Sequence, residues 1–386
     1  MPTDTATVEL TVVLPCLNEE KTVAACVRQA IDACAGLNAE VVVADNGSED
    51  GSRERAREAG ARVIDVSLRG YGAALRAGIE AARGTYVVMA DADLSYDLSD
   101  IPKFVAELRG GADLVMGSRF KGTIHPGAMP FLHRYLGNPV LTRILNLLFG
   151  AGISDAHCGM RGFSRAALLG LGLRTSGMEF ASEMIIRAAQ QGLKIREVPT
   201  SLRPDGRGRR SHLRTWRDGW RHLRFMLLFS PLWLFAVPGL LAAALGAALM
   251  AAVAFAEVRV LGHVLNTHFA LLGSMLTAIG VQVVALGFFA KAVFVLDGLG
   301  RSDFVRRVIG GFHLETALVA GLAVFLAGLA IDASILWKWL QTAGDLDRGV
   351  THLAILGGTL CVVGLQVVFS AFFLTILRAS RTGRWV

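Results

Sequence analysis

The five cysteines of this 386-residue chain (Cys16, Cys26, Cys34, Cys158 and Cys361) form no Cys-x-x-Cys pair and no metal-ligand spacing. An odd, scattered set fits a reducing compartment rather than a disulfide scaffold. Gly70-Tyr71-Gly72 does not complete a glycine-rich dinucleotide fingerprint. Met1–Glu9 lacks a basic start followed by an apolar core. No cleavable signal is therefore expected, and the globular part is expected to stay in the cytoplasm. Charge is nearly missing from long runs beyond Arg224. With 53% hydrophobic residues and a mean hydropathy of +0.48, this excludes an ordinary soluble enzyme.

The charge that is present is unevenly placed. Formal net charge is +7, and basic residues crowd between Arg203 and Arg224. Such a cluster suits nucleic acid or a membrane surface. Apolar runs follow it immediately, so a membrane surface is the expected partner and nucleic acid is not.

Before Arg224, apolar β-branched stretches alternate with helical periodicity. Strands are expected at Val8–Leu14, Glu40–Ala44, Arg62–Val66, Tyr86–Ala90, Leu114–Gly117 and Lys194–Val198. Helices are expected at Lys21–Ala35, Ser52–Ala59, Tyr71–Ala82 and Glu179–Gln191. That alternation implies a mostly parallel, doubly wound sheet, which binds ligands at the carboxyl ends of its strands. Glu19, Asp45, Asp91 and Asp93 lie just past such ends. His125–Phe149 mixes apolar and basic residues, with Pro126, Pro130 and Pro139 breaking it up. A lipid-interface segment and a surface loop with a packed helix fit it equally.

The run Val87-Val88-Met89-Ala90-Asp91-Ala92-Asp93 is an apolar strand ending in two carboxylates. Acids there are costly unless something positive compensates them, since neighbouring carboxylates repel. A divalent cation carrying a diphosphate would do so, because hard cations take carboxylate and phosphate oxygens together.

Four later stretches are long enough to cross a bilayer: about 227–256, 269–296, 316–337 and 353–377. Arg301–Arg307 and the tail Arg378–Arg384 are basic, whereas the other connections are nearly balanced. The bias places both termini and the Arg301 loop on the cytoplasmic side of a multi-pass inner-membrane protein. Residues 212–225 interleave Trp216 and Trp220 with arginines, as in an interfacial amphipathic helix. The expected division is 1–211, 212–225 and 226–386. Gly and Ala in the spans allow close helix packing, compatible with a homo-oligomer.

Pro15-Cys16-Leu17-Asn18-Glu19-Glu20, Asp45-Asn46-Gly47-Ser48, Asp91-Ala92-Asp93, Gly117-Ser118-Arg119-Phe120 and Gly159-Met160-Arg161-Gly162-Phe163 occur in that order. Together they resemble the family 2 inverting glycosyltransferases of GT-A fold, a Rossmann-like α/β type. Within these the chain is most similar to polyprenyl-phosphate sugar synthases, such as dolichyl-phosphate mannose and polyprenyl-phosphate glucose synthases. The resemblance implies a nucleotide sugar donor, a polyprenyl phosphate acceptor and a divalent metal, with magnesium and manganese both open. A UDP-sugar, glucose first, is implied, with GDP-mannose as the alternative.

The resemblance also implies roles. Pro15, Leu17 and Glu19 would line the nucleotide pocket, and Asp45 would hydrogen-bond the base. Asp91 would face the ribose and the sugar diphosphate, and Asp93 would ligate the metal with it. Arg119 and then Arg134 would hold the acceptor phosphate. Arg161 equally admits a structural role, pairing with Asp155. Arg203-Pro204-Asp205-Gly206-Arg207-Gly208-Arg209 resembles a flexible family loop of the form Arg-x-x-Gly-x-Ser-Lys. Gly208 and Arg209 replace its Ser and Lys, so Arg203, Arg207 and Arg209 are alternative phosphate contacts, and a solvated basic linker competes. Two other readings rank lower. A processive polysaccharide synthase would carry Gln-x-x-Arg-Trp, which neither Trp216-Arg217 nor Arg384-Trp385 supplies. A non-catalytic membrane scaffold would have no use for the Asp91/Asp93 pair.

Overall fold

A computed structural model describes residues 8–206, 215–255, 259–260, 263–298, 302–342 and 348–382. The chain divides into two compact units, Met1–Phe229 and Ser230–Val386.

In the first unit, seven strands form one sheet: β1 (Leu10–Cys16), β2 (Ala39–Asp45), β3 (Arg62–Asp65), β4 (Tyr86–Met89), β5 (Leu114–Ser118), β6 (Arg161–Ser164) and β7 (Ile195–Pro199), in the order β3-β2-β1-β4-β6-β5-β7. All neighbours are parallel except β6, which runs antiparallel to both β4 and β5. Side chains alternate between two apolar cores, as the period of a strand requires. Val12 and Leu14 enter one core and Val13 the other; Val88 enters the first, Val87 and Met89 the second. Having both faces covered explains why these strands are continuous apolar runs.

Helices α1 (Val23–Ala33), α2 (Ser52–Glu58), α3 (Tyr71–Ala81), α4 (Ile101–Arg109), α5 (Asn138–Phe149), α6 (Arg165–Gly170), α7 (Phe180–Gln191) and α8 (Thr215–Phe229) complete this unit. In α1 the buried residues Val23, Cys26, Val27 and Ala30 follow the helical stripe. Helices α4 and α6 and strand β6 are short elements beyond those the sequence pattern predicts, and β6 lies on the Gly159–Phe163 motif. Within His125–Phe149, α5 follows a π-helical turn at His133–Gly137. Pro139 does not break that segment; it stands in the first turn of α5, where a missing N–H is harmless. The exposed side of the segment carries Phe131, Tyr135, Leu136 and Leu147. In α8, His222 and Met226 are buried while Trp216 is 79% exposed, with Arg217, Trp220, Arg224 and Leu228 on the same outer side.

The second unit holds four helices long and apolar enough to cross a membrane: Leu232–Ala254, Thr267–Leu296, Leu314–Gln341 and Val350–Arg381. The first begins later than the sequence suggests, because Leu227–Phe229 close α8 and Pro231 follows. These spans lie in α9 (Val237–Phe255) with the turn before it, α10 (Thr267–Leu296), α12 (Leu314–Gln341) and α13 (Arg348–Thr382); a short helix α11 (Asp303–Gly310) precedes α12. Small residues let backbones touch: a Cβ on Gly246 would lie 2.4 Å from the Gly273 carbonyl oxygen, and one on Gly328 2.5 Å from that of Gly357.

Candidate active site

Strand order reverses between β1 and β4, and the crevice beyond their carboxyl ends is the ligand position of a doubly wound sheet. Three loops meet there. Residues 15–20 leave β1 through Asn18, a non-glycine residue at φ +57°. The Asn18 backbone N–H donates to Ser48 Oγ at 2.9 Å, and the Glu49 N–H donates to Asn18 Oδ1 at 2.8 Å. The Glu19 N–H donates to Ser52 Oγ at 2.7 Å. These bonds weld the loops after β1 and β2 into one wall that carries Pro15, Leu17, buried Glu19 and Asp45. Asp45 is 1% exposed. Its Oδ2 accepts from the Gly47 and Ser48 N–H groups at 3.1 and 3.0 Å, whereas its Oδ1 is sealed from solvent with no hydrogen-bond partner. Arg53 Nε lies 3.9 Å from Oδ2 and offsets part of the buried charge. An unsatisfied buried carboxylate oxygen is costly, so a ligand N–H that reached Oδ1 on opening of the wall would be worth more than one at an exposed site.

Thr22 Oγ1 donates to the Ala92 carbonyl at 2.8 Å, tying this wall to the acid pair. Asp91 Oδ1 accepts from Tyr71 Oη at 2.9 Å. Burial and then the Asp91 charge push the Tyr71 phenol well above its usual value, so it remains a donor. Tyr71 stands in the Gly70-Tyr71-Gly72 run, whose glycines serve close backbone approach rather than a dinucleotide. Gly70 has φ +137° and donates its N–H to Asn46 Oδ1, and a Cβ on Gly72 would lie 2.6 Å from Phe180 Cβ. The backbone must pass close there to hold Tyr71 against Asp91. Asp93 is buried, and its Oδ1 accepts from the Ser95 N–H at 3.0 Å.

Gly159 supports the acids from the other side. Its N–H donates to Tyr96 Oη at 2.7 Å, and a Cβ there would lie 2.6 Å from Asp91 Oδ2. Gly159→Ala should therefore displace the Asp91 carboxylate and lower turnover by about a hundredfold, the scale of a misplacement of about 1 Å. Steady-state kinetics together with circular dichroism would check this: near-normal turnover in a folded variant would show that Asp91 needs no such support.

The chain segment before the basic loop crosses the acid pair. The Arg203 N–H donates to the Ser95 carbonyl and the Gly206 N–H to the Asp93 carbonyl, both at 2.8 Å. The Arg203 guanidinium pairs with Asp97. Arg207 and Arg209 lie outside the described residues. Arg134 stands on the π-helical turn over the Tyr135 ring, 5.5 Å from its centroid.

Arg119 is buried at the end of β5. Its Nε and Nη2 donate to Asp155 Oδ2 and Oδ1 at 2.7 and 2.8 Å, and its backbone N–H reaches Oδ2 at 3.1 Å. Asp155 thus pairs with Arg119, not with Arg161. Arg161 is 0% exposed and donates to the carbonyls of Cys158, Ala181 and Ala156 at 3.0, 2.6 and 3.0 Å. That role is structural, as one sequence reading had it, but with carbonyls as partners. Burial first, then His222 and Arg119, hold His157 well below the usual imidazole range, so it is neutral, with both ring nitrogens sealed and unpartnered.

Among the described residues no group of three or more His, Cys, Asp or Glu could hold a metal ion by itself. Two carboxylates nonetheless fit a divalent cation whose remaining positions are filled by substrate phosphate and water.

A doubly wound sheet with paired acids at the reversal of strand order, and four helices of spanning length, define a membrane protein with a Rossmann-like ligand-binding unit. Residues 11–171 match the model of glycosyl transferase family 2, and residues 288–378 match that of the glycosyltransferase family 2 C-terminal transmembrane region. The chain is 40% identical over 369 residues to the low-salt glycan biosynthesis hexosyltransferase Agl6 of Haloferax volcanii, covering 95% of this chain and 88% of that protein. It belongs to glycosyl transferase family 2, and its first unit has the GT-A fold. A dolichyl-phosphate hexose transferase of the same organism is 36% identical over 195 residues, covering 50% of this chain and 83% of that one. The solved structure of Mycobacterium tuberculosis glucosyl-3-phosphoglycerate synthase with Mn2+, UDP and glucosyl-3-phosphoglycerate is 24% identical with a TM-score of 0.45, covering 58% of this chain and 79% of that one.

Proposed function

We propose that this glycosyltransferase moves a hexose from a nucleotide sugar, UDP-glucose first, to a polyprenyl phosphate at the cytoplasmic leaflet, inverting the anomeric carbon. The acid pair at the β1/β4 crevice, held by Tyr71, Ser95 and Gly159, carries this reading. The relatives named as a hexosyltransferase and as a dolichyl-phosphate hexose transferase support the substrate classes.

Asp45 Oδ1 would accept an N–H from the base. Asp91 and Asp93 would hold a divalent cation, which when bound neutralises charge on the departing diphosphate. The acceptor oxygen is already anionic near neutral pH, so no side chain need remove a proton. Catalysis then rests on positioning and charge stabilisation. The Arg119 guanidinium, oriented by Asp155, would place the acceptor phosphate opposite the leaving group with its Nη1, assisted by Arg134 and by Arg203, Arg207 or Arg209. The exposed Trp216/Trp220 side of α8 suits a headgroup layer.

Incubating the purified chain with polyprenyl phosphate and a panel of labelled nucleotide sugars tests this. Label from UDP-glucose should become organic-extractable and alkali-resolved as a single β-configured product if the donor is an α-linked sugar nucleotide. Extraction from GDP-mannose alone would select the mannose alternative. Donor consumption with no lipid product would overturn the acceptor class.

A further inference from the structure

Lys291 is the one Lys, Arg, Asp or Glu in α10. It is 9% exposed, and no group among the described residues accepts from its ammonium. Ionisable groups inside spans nearly always find a partner, because an unpaired one is expensive there. The carboxylate nearest in sequence, Asp297, is occupied by Arg381 at 3.3 Å. Asp303 stands in the first turn of α11, where its charge complements the helix terminus.

Depth decides what the partner is. The span Thr267–Leu296 has 30 residues. At 1.5 Å per residue it measures about 45 Å, against a hydrocarbon slab of about 30 Å. When the helix is centred on that slab, Lys291 falls about 14 Å from the midplane, at the level where lipid phosphates begin. The Cα–Cβ bond leans back toward the helix N-terminus, so the Lys291 stem runs along apolar surface and its four methylenes turn the ammonium back to the phosphate level. Lys291 follows Gly287 by one turn, and a Cβ on Gly287 would lie 3.4 Å from the Pro231 carbonyl oxygen, at the entry to the first span.

The surrounding end of the bundle is basic and closed by an apolar cap. Val305 and Ile309 of α11 pack with Ala292 and Leu374. Arg306 and Arg307 are exposed on α11, and Arg378 donates to the Phe312 carbonyl at 3.4 Å. This charge suits anionic headgroups.

We propose that Lys291 binds the phosphate group of a membrane lipid at the end of the second span. The ammonium gains the charged partner it lacks among the described residues, and the lipid's chains lie along the spans. The ligand chemistry is a lipid-borne phosphate, either the monoester of a polyprenyl phosphate or the diester of an anionic phospholipid. Lipid retention is its readout, so the site stands or falls independently of sugar transfer.

Native mass spectrometry of the full chain tests it, after mixing in detergent with equal amounts of polyprenyl phosphate, phosphatidylglycerol and diacylglycerol. Wild type should retain phosphate-bearing lipid and not diacylglycerol. Lys291→Met, nearly isosteric and apolar, should lower that retention at least about fivefold, the effect of one basic residue near a membrane surface. Lys291→Arg should keep it. Preference for polyprenyl phosphate identifies the monoester as the source, and equal or greater retention of phosphatidylglycerol identifies the phospholipid. Undiminished retention by Lys291→Met overturns the site. In the wild-type chain, the same lipids should slow amine-selective labelling of Lys291, and unchanged labelling also overturns it.

Discussion

Asp93→Asn is expected to lower hexose transfer by about a thousandfold or more, the upper range for losing one electrostatic contact to a developing charge. The substitution keeps shape and removes charge. Asp93 Oδ1 accepts from the Ser95 N–H, and an amide oxygen can accept that bond in the same place. The loop crossing the pair is bound through the Asp93 backbone carbonyl, not its side chain, so it should stay. The fold and the Asp45 wall are therefore expected to survive, and nucleotide binding by the base end should persist. Turnover with saturating donor and acceptor, alongside circular dichroism and nucleotide titration, separates these effects. Near-normal transfer by a folded Asp93→Asn variant would defeat the metal assignment. Loss of transfer together with unfolding would instead mark Asp93 as a structural acid.

The strands ending at the site were legible because their chemistry is local. In β1, β2 and β4, apolar runs buried on both faces stop where polar loops begin, and the acids stand at those stops. β6 was not legible as a strand. It has four residues, one of them Arg161, and an arginine in a short run argues against burial. It is buried because the carbonyls of Cys158, Ala156 and Ala181 surround its guanidinium, and two of those belong to the loop before it. Tyr71 carried a misleading signal, since its flanking glycines mimic part of a phosphate loop while serving backbone approach to Asn46 and Phe180. The partner of Arg119 lies 36 residues away, and nothing in the spacing chooses Asp155 for Arg119 over Arg161. The spans were legible from composition, but the end of α8 was not. Its last residues are as apolar as the span that follows, and only the break at Ser230-Pro231 separates them.

The Arg119–Asp155 pair allows a test of what the arginine does. Asp155→Asn removes the negative partner of a buried guanidinium and is expected to destabilise the globular unit by about 3–5 kcal/mol, as breaking one side of a buried pair does. Arg119→Met should cost a similar amount, because it strands the Asp155 carboxylate, which is wholly buried. Replacing both, Arg119→Met with Asp155→Asn, removes both charges, keeps an amide oxygen to accept the Arg119 and His157 backbone N–H groups, and is expected to restore stability to within about 1–3 kcal/mol of wild type. Denaturant or thermal unfolding of the full chain in detergent measures all three. The double variant then isolates function from folding. With Arg119 holding the acceptor phosphate, the stable double variant should lose transfer by at least about a hundredfold, while the KM for the nucleotide sugar changes little. The acceptor KM should rise most, because the fork that Asp155 orients is the group lost. A stable double variant with normal acceptor kinetics would make the pair a structural bridge between β5 and the loop before β6, and would pass the acceptor phosphate to Arg134 and the basic loop.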